Sequence, residues 1–144
     1  MSNPFFYETT IKFHETDAAG RLFFAHQLKL AHDAYEAFLE HAGLSLATII
    51  LKRPYDLPIV HAESDYLAPL YVGDRLRIQV TVERIGTSSF TLEYHIFDQT
   101  RRKVGKAKTV HVAVASETGQ KITLPEEIIG LLKSVSHTNS HPEQ

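Results

Sequence analysis

At 144 residues, with 43% apolar and 22% charged side chains, the chain has the make-up of a single globular domain able to bury its own core. A formal net charge of -2 gives no general attraction to nucleic acid or to an anionic membrane surface, and no apolar run approaches the ~18 residues needed to span a bilayer. The absence of cysteine excludes disulfides, thiolate metal sites and thiol nucleophiles, and Met1-Ser2-Asn3-Pro4 shows no secretory pattern, so a cytoplasmic location is expected.

Residues 5 to 13 alternate, with Phe5, Tyr7, Thr9, Ile11 and Phe13 on one side of an expected strand. A glycine-containing loop, His14 to Phe23, follows. From Phe24 to Ala42 the period becomes helical: Leu28, Ala31, Tyr35, Phe38 and Ala42 form an apolar stripe, opposite Lys29, Asp33, Glu36 and Glu40. Gly43 ends this helix as a C-terminal glycine, with Leu44 supplying the accompanying apolar contact. An irregular connection runs to Pro58.

Four alternating segments come next. They are Val60 to Tyr66, Leu76 to Val82, Phe90 to Ile96, and a last one in which Val110, Val112 and Val114 oppose Thr109, His111 and Ala113. Breaks at Gly73-Asp74, Gly86-Thr87-Ser88 and Asp98 to Lys103 are short, which predicts an antiparallel meander. Pro125-Glu126-Glu127 opens a short helix to about Lys133, and the polar residues 135–144 are expected to be disordered, leaving 1–134 as one domain. One helix cannot cover both faces of five strands. An α+β fold is therefore expected, with the sheet curled around the helix and a second copy burying what remains.

Asp17 carries the strongest chemical signal. It is a carboxylate on a loop just before a helix start, where backbone N–H groups lack internal partners. A carboxylate beside such donors can attack or hydrate a carbonyl while the N–H groups hold the oxyanion. The competing reading is a simple helix cap. His14, Glu15 and His26 lie close enough in sequence to hold a water or tune the carboxylate. His61, Glu63 and Asp65 share one strand face, where a solvated or interface surface outweighs a metal site, and the nine histidines fall into no metal spacing. No Gly-rich phosphate loop and no Gly-x-Ser-x-Gly elbow is present.

Thr16-Asp17-Ala18-Ala19-Gly20, followed by the helix Gln27 to Gly43, then Leu57-Pro58-Ile59-Val60, Asp65-Tyr66-Leu67-Ala68-Pro69 and Gly73-Asp74, resemble in order and spacing the hotdog-fold acyl-CoA thioesterases of the 4-hydroxybenzoyl-CoA thioesterase family. Within that family Phe23-Phe24-Ala25-His26-Gln27 is most similar to the 1,4-dihydroxy-2-naphthoyl-CoA hydrolases of phylloquinone and menaquinone synthesis. The resemblance implies a curled five-stranded antiparallel sheet around one long helix, an acyl-CoA substrate, no cofactor or metal, and a homodimer assembling to a homotetramer. It implies Asp17 as catalytic carboxylate, either nucleophile through an acyl-enzyme anhydride or general base on water. It implies that Gly20 lets the backbone approach the substrate. The Phe24 N–H takes the place of the oxyanion donor, although members of the family often carry Tyr there. In such dimers a partner strand lines the site, which adds His61 and the nearby His26 as candidate substrate contacts. Arg84, Arg101, Arg102 and Lys103 are the basic residues available to the CoA nucleotide.

Two rival activities are weighed. A hotdog hydratase or dehydratase acting on enoyl or 3-hydroxyacyl thioesters uses a His with a carboxylate, and its characteristic His-Phe-Pro loop is missing here. A non-catalytic acyl-CoA-binding module tends to lack the loop carboxylate, which Asp17 supplies.

Overall fold

A computed structural model of the protein describes residues 4–139. The first strand, β1 (Phe6–Thr10), stops sooner than the alternation predicts. Phe13–Glu15 turn instead into a 3-10 helix, which leaves Phe13 78% exposed rather than on the buried side. The long helix α1 (His26–His41) buries Leu30, Ala31, Ala34, Tyr35, Phe38 and Leu39. Its end is as expected: Gly43 has φ +99°, its N–H reaches Glu40 O at 3.0 Å, and Leu44 N–H reaches Leu39 O at 3.1 Å.

The connection after α1 holds an unexpected helix, α2 (Leu46–Lys52). Ser45 caps it, its Oγ accepting the Thr48 N–H at 3.2 Å. Beyond it lie β2 (Tyr55–Asp56), β3 (Ile59–Tyr66), β4 (Arg75–Ile85), β5 (Ser89–Phe97), β6 (Lys103–Val112) and β7 (Val114–Ala115). One open five-stranded antiparallel sheet runs in the order β1-β4-β5-β6-β3, and β2 pairs with β7 in a separate ribbon. Helix α1 packs against β1, β3, β4 and β6, so the sheet wraps it as the α+β reading requires.

Leu76, Ile78 and Val80 of β4 and Phe90, Leu92, Tyr94 and Ile96 of β5 face the core as their alternation predicts. Strand β6 corrects the expectation. It begins at Lys103, and Ala107, Thr109 and His111 are buried while Val110 and Val112 are only half-buried. Thr109 and His111 can face inward here because each has a polar side-chain partner. The Tyr94 hydroxyl and Thr109 Oγ1 are 2.8 Å apart, and Thr109 Oγ1 and His111 Nε2 are again 2.8 Å apart. The His111 ring lies parallel to Phe90, centroids 4.6 Å apart, and tilted against Tyr35.

Helix α3 (Glu126–Asn139) continues past Lys133, burying Ile128, Leu132 and Val135 and packing on β4. The segment expected to be a loose tail thus starts as helix, and residues 140–144 lie outside the described part. Glu127 in its first turn accepts from Arg53 Nε at 2.7 Å and from the Tyr55 hydroxyl. Among the described residues no helix is long and apolar enough to cross a membrane.

Candidate active site

The Asp17 loop is a tight hairpin. Asp17 N–H bonds Arg21 O at 2.8 Å, Gly20 N–H bonds Asp17 O at 3.0 Å, and Thr16 bridges to Leu22. A reversal this short needs one residue with positive φ, and Gly20 supplies it at +78°. A Cβ added at Gly20 meets nothing within 4 Å, so the demand visible in the chain is conformational rather than a close approach. The second arm of the hairpin docks on the segment before β4: Leu22 N–H to Leu70 O at 2.7 Å, and Val72 N–H to Gly20 O at 3.0 Å.

The cap reading of Asp17 fails. Its Oδ1 accepts the N–H groups of Ala19 at 2.9 Å and Arg21 at 3.2 Å, both within its own hairpin. Helix α1 starts on Ala25 with no side-chain cap. One carboxylate oxygen is thus spent on holding the loop, and Oδ2 has no hydrogen bond among the described residues. The side chain is exposed.

At the helix start the N–H groups of Phe24 and Ala25 meet no acceptor among the described residues. The two carbonyls in the same peptide units are both tied down: Phe23 O accepts from His26 N–H at 2.8 Å, and Phe24 O accepts from the Tyr66 hydroxyl at 2.6 Å. Between the hairpin and this helix start opens a cleft of about 300 Å³, whose walls include Leu22, Phe24, Gln27, Tyr66, Leu67 and Leu70. Those walls are mainly apolar, suited to an acyl group.

Sequence and structure meet further in what surrounds the loop. Residues 11–132 match the thioesterase-like superfamily. The chain belongs to that superfamily. A 1,4-dihydroxy-2-naphthoyl-CoA hydrolase of Rippkaea orientalis is 38% identical over 134 residues, 92% of this chain and 97% of the relative. Among solved structures, a 1,4-dihydroxy-2-naphthoyl-CoA thioesterase from Synechocystis superposes with TM-score 0.83 at 32% identity, covering 97% of this chain and 100% of that one. A gentisyl-coenzyme A thioesterase superposes with TM-score 0.80 at 27% identity over 88% of this chain and 98% of that one. The hotdog fold expected from the motifs is therefore the fold of this thioesterase-like chain.

Of the remaining candidates in this thioesterase-like protein, His26 lies on the first turn of α1, its ring 5.7 Å from Phe23 and its Nδ1 buried without a partner among the described residues. His61 stands on the face of β3 opposite Ser64 and Tyr66, paired with Glu63 at 2.9 Å, so within one chain it points away from the cleft. Arg102 pairs with Asp98 at 3.6 Å, and Arg101 occupies the positive-φ position of that turn.

Glu15, one of the loop residues offered above as able to hold a water or tune Asp17, lies inside the fold rather than on the loop surface. It is 1% exposed and accepts from Lys12 N–H and Lys29 Nζ, each at 2.9 Å. Burial pushes its pKa up most strongly, yet the Lys12 amide and Lys29 ammonium together hold its carboxyl below the usual range. With its carbonyl bonded to Phe23 N–H at 2.9 Å, Glu15 staples the loop to α1.

Gln27 escaped the sequence reading. It is buried, and its Nε2 donates to Ser64 Oγ and Asp65 O, both at 2.9 Å. The available signal was a polar residue on the helical stripe that includes Leu30, Ala31 and Ala34. Gly105 of β6 makes room for it: a Cβ there would sit 2.7 Å from Gln27 Oε1.

Proposed function

We propose that the protein hydrolyses an aromatic acyl-CoA thioester to the free acid and CoA, with 1,4-dihydroxy-2-naphthoyl-CoA the substrate to test first. One observation carries this: an exposed carboxylate with one oxygen uncommitted stands on a hairpin whose second arm lines an apolar cleft, with two unpartnered N–H groups across it. The thioester carbonyl carbon is the centre attacked. Asp17 either bonds to it, giving an anhydride that water then opens, or removes a proton from the attacking water. In both routes the carbonyl oxygen gains charge, which the Phe24 N–H is placed to hold, and CoA leaves as thiolate and takes up a proton. A preorganised donor of this kind contributes about 3–4 kcal/mol to the transition state. The aromatic acyl class is supported by the naphthoyl and gentisyl substrates named for the relatives.

The working unit on this reading is a homodimer, two of which form the tetramer, acting in the cytoplasm. Strand β3 supports it. It is an eight-residue edge strand exposed along nearly its whole length, with Val60 60% and adjoining Leu67 55% exposed. An edge of that length and apolarity is buried in stable proteins. Antiparallel pairing with a second β3 would cover it, close the cleft, and bring the partner's outer-face residues toward the substrate.

The test is CoA release followed with a thiol reagent over aromatic and aliphatic acyl-CoAs, comparing wild type with Asp17→Asn. Turnover of an aromatic thioester by wild type alone supports the assignment. Near wild-type turnover by the variant would refute it. Hydration of crotonyl-CoA without CoA release would favour the hydratase instead. Light scattering at micromolar protein reads the dimer, and a monomer there removes the shared site.

A further inference from the structure

We infer, resting on the thioesterase reading above, that Tyr66 is a positioning residue for the oxyanion donors, acting through the Phe24 carbonyl. Two successive peptide units form the start of α1. In each the N–H is unpartnered and the C=O is bonded: Phe23 O to His26 N–H at 2.8 Å, and Phe24 O to the Tyr66 hydroxyl at 2.6 Å. The first bond is the helix's own. The second comes from another element and is the shorter of two bonds to Phe24 O, which also accepts from the Gln27 N–H at 3.4 Å. Ala25 supplies no side-chain cap, so the long Gln27 bond is all that the first turn itself offers to fix that plane.

The hydroxyl does two things. It sets the rotation of the Phe24–Ala25 peptide about the chain axis, and so the direction of the Ala25 N–H and, through the shared Cα, of the Phe24 N–H. It also draws electron density to the carbonyl oxygen, which makes the N–H of the same unit a stronger donor. Its own position is secured one residue away, where the buried Gln27 Nε2 holds Ser64 Oγ and Asp65 O at 2.9 Å each. Helix start and strand end are therefore clamped at two points, and both Gln27 and Tyr66 line the cleft.

The test is Tyr66→Phe, which keeps the ring and the cleft wall and deletes only the oxygen. Removing an oxyanion donor outright costs about 10²–10³ in kcat, and misaiming one costs less, so a fall of roughly 5- to 100-fold is expected. KM and the thermal midpoint should stay near wild type, since neither acyl contact nor packing changes. The Ala25 amide proton resonance should move while those of α3 do not. A kcat equal to wild type, or a raised KM with kcat kept, overturns the inference while leaving the thioesterase assignment intact. Wild type releasing no CoA from any acyl-CoA overturns both. An unmoved Ala25 resonance overturns the clamp even if activity falls.

Discussion

Replacing His111 by phenylalanine should remove a pH-dependent loss of stability without touching the loop that carries Asp17. His111 is fully buried, its ring stacked on Phe90. Burial lowers its pKa from 6.5 to about 4, against a backbone influence from Leu57 that favours the proton and with a small repulsion from His32. As pH falls through 6.5 the unfolded chain takes up this proton and the folded chain does not, so stability drops until the folded pKa near 4 is reached. Between about pH 7.5 and pH 5 the single-site linkage integral gives about 2 kcal/mol. Urea unfolding followed by circular dichroism, at one protein concentration and both pH values, measures it as a difference of differences. Overpacking by the larger ring lowers the variant's stability at both pH values and cancels. His95, whose pKa burial lowers to about 4 beside Lys103 and Lys106, contributes equally to both proteins and cancels as well. Equal acid losses in wild type and variant would show that His111 titrates normally and that the buried Thr109–His111 chain opens readily.

Other outcomes are as definite. Asp17→Asn should retain the hairpin, since an amide oxygen can still accept from Ala19 and Arg21, yet lose at least ~100-fold in turnover, read by CoA release with unchanged circular dichroism. Gly20→Ala should cost about 1–2 kcal/mol by forcing a side chain into positive φ, seen as a lower thermal midpoint together with weaker turnover. Gly105→Ala should drive a methyl against Gln27 and cost about 1–3 kcal/mol in urea unfolding. Lys29→Met leaves the Glu15 carboxylate buried without its cation. The stability that its lowered pKa gives above the carboxylate range should shrink, moving the acid-unfolding midpoint to higher pH.

Much of this was legible because it is local. Helix α1 announces itself through a sustained 3.6-residue stripe and Gly43, and β4 and β5 through clean alternation between short turns. The Asp17 hairpin is readable from its glycine. What escaped depends on partners far along the chain. The inward face of β6 looks polar until Thr109 is known to meet Tyr94, fifteen residues before it. Glu15 reads as solvent-facing until Lys29 folds back on it, and Gln27 finds its partners only in β3. Helix α2 was missed for another reason: seven residues give too little periodicity, and only the Ser45 cap marks it. Tyr66 reads in the sequence only as the end of an alternating segment, because alternation reports which side a ring is on and says nothing of what its hydroxyl reaches.

On the proposed reading, the docking of the hairpin onto Leu70 and Val72 ties acyl recognition to chemistry in a way that constrains how this scaffold can be retuned. Leu70 is at once a wall of the cleft and, through its carbonyl, an anchor of the arm that aims Asp17. Reshaping the cleft there to admit a bulkier or slimmer acid would tilt the carboxylate along with it. Leu67 and Phe24 reach the same space without bearing that arm, so a change of substrate preference that preserves rate has its accessible routes through those two side chains.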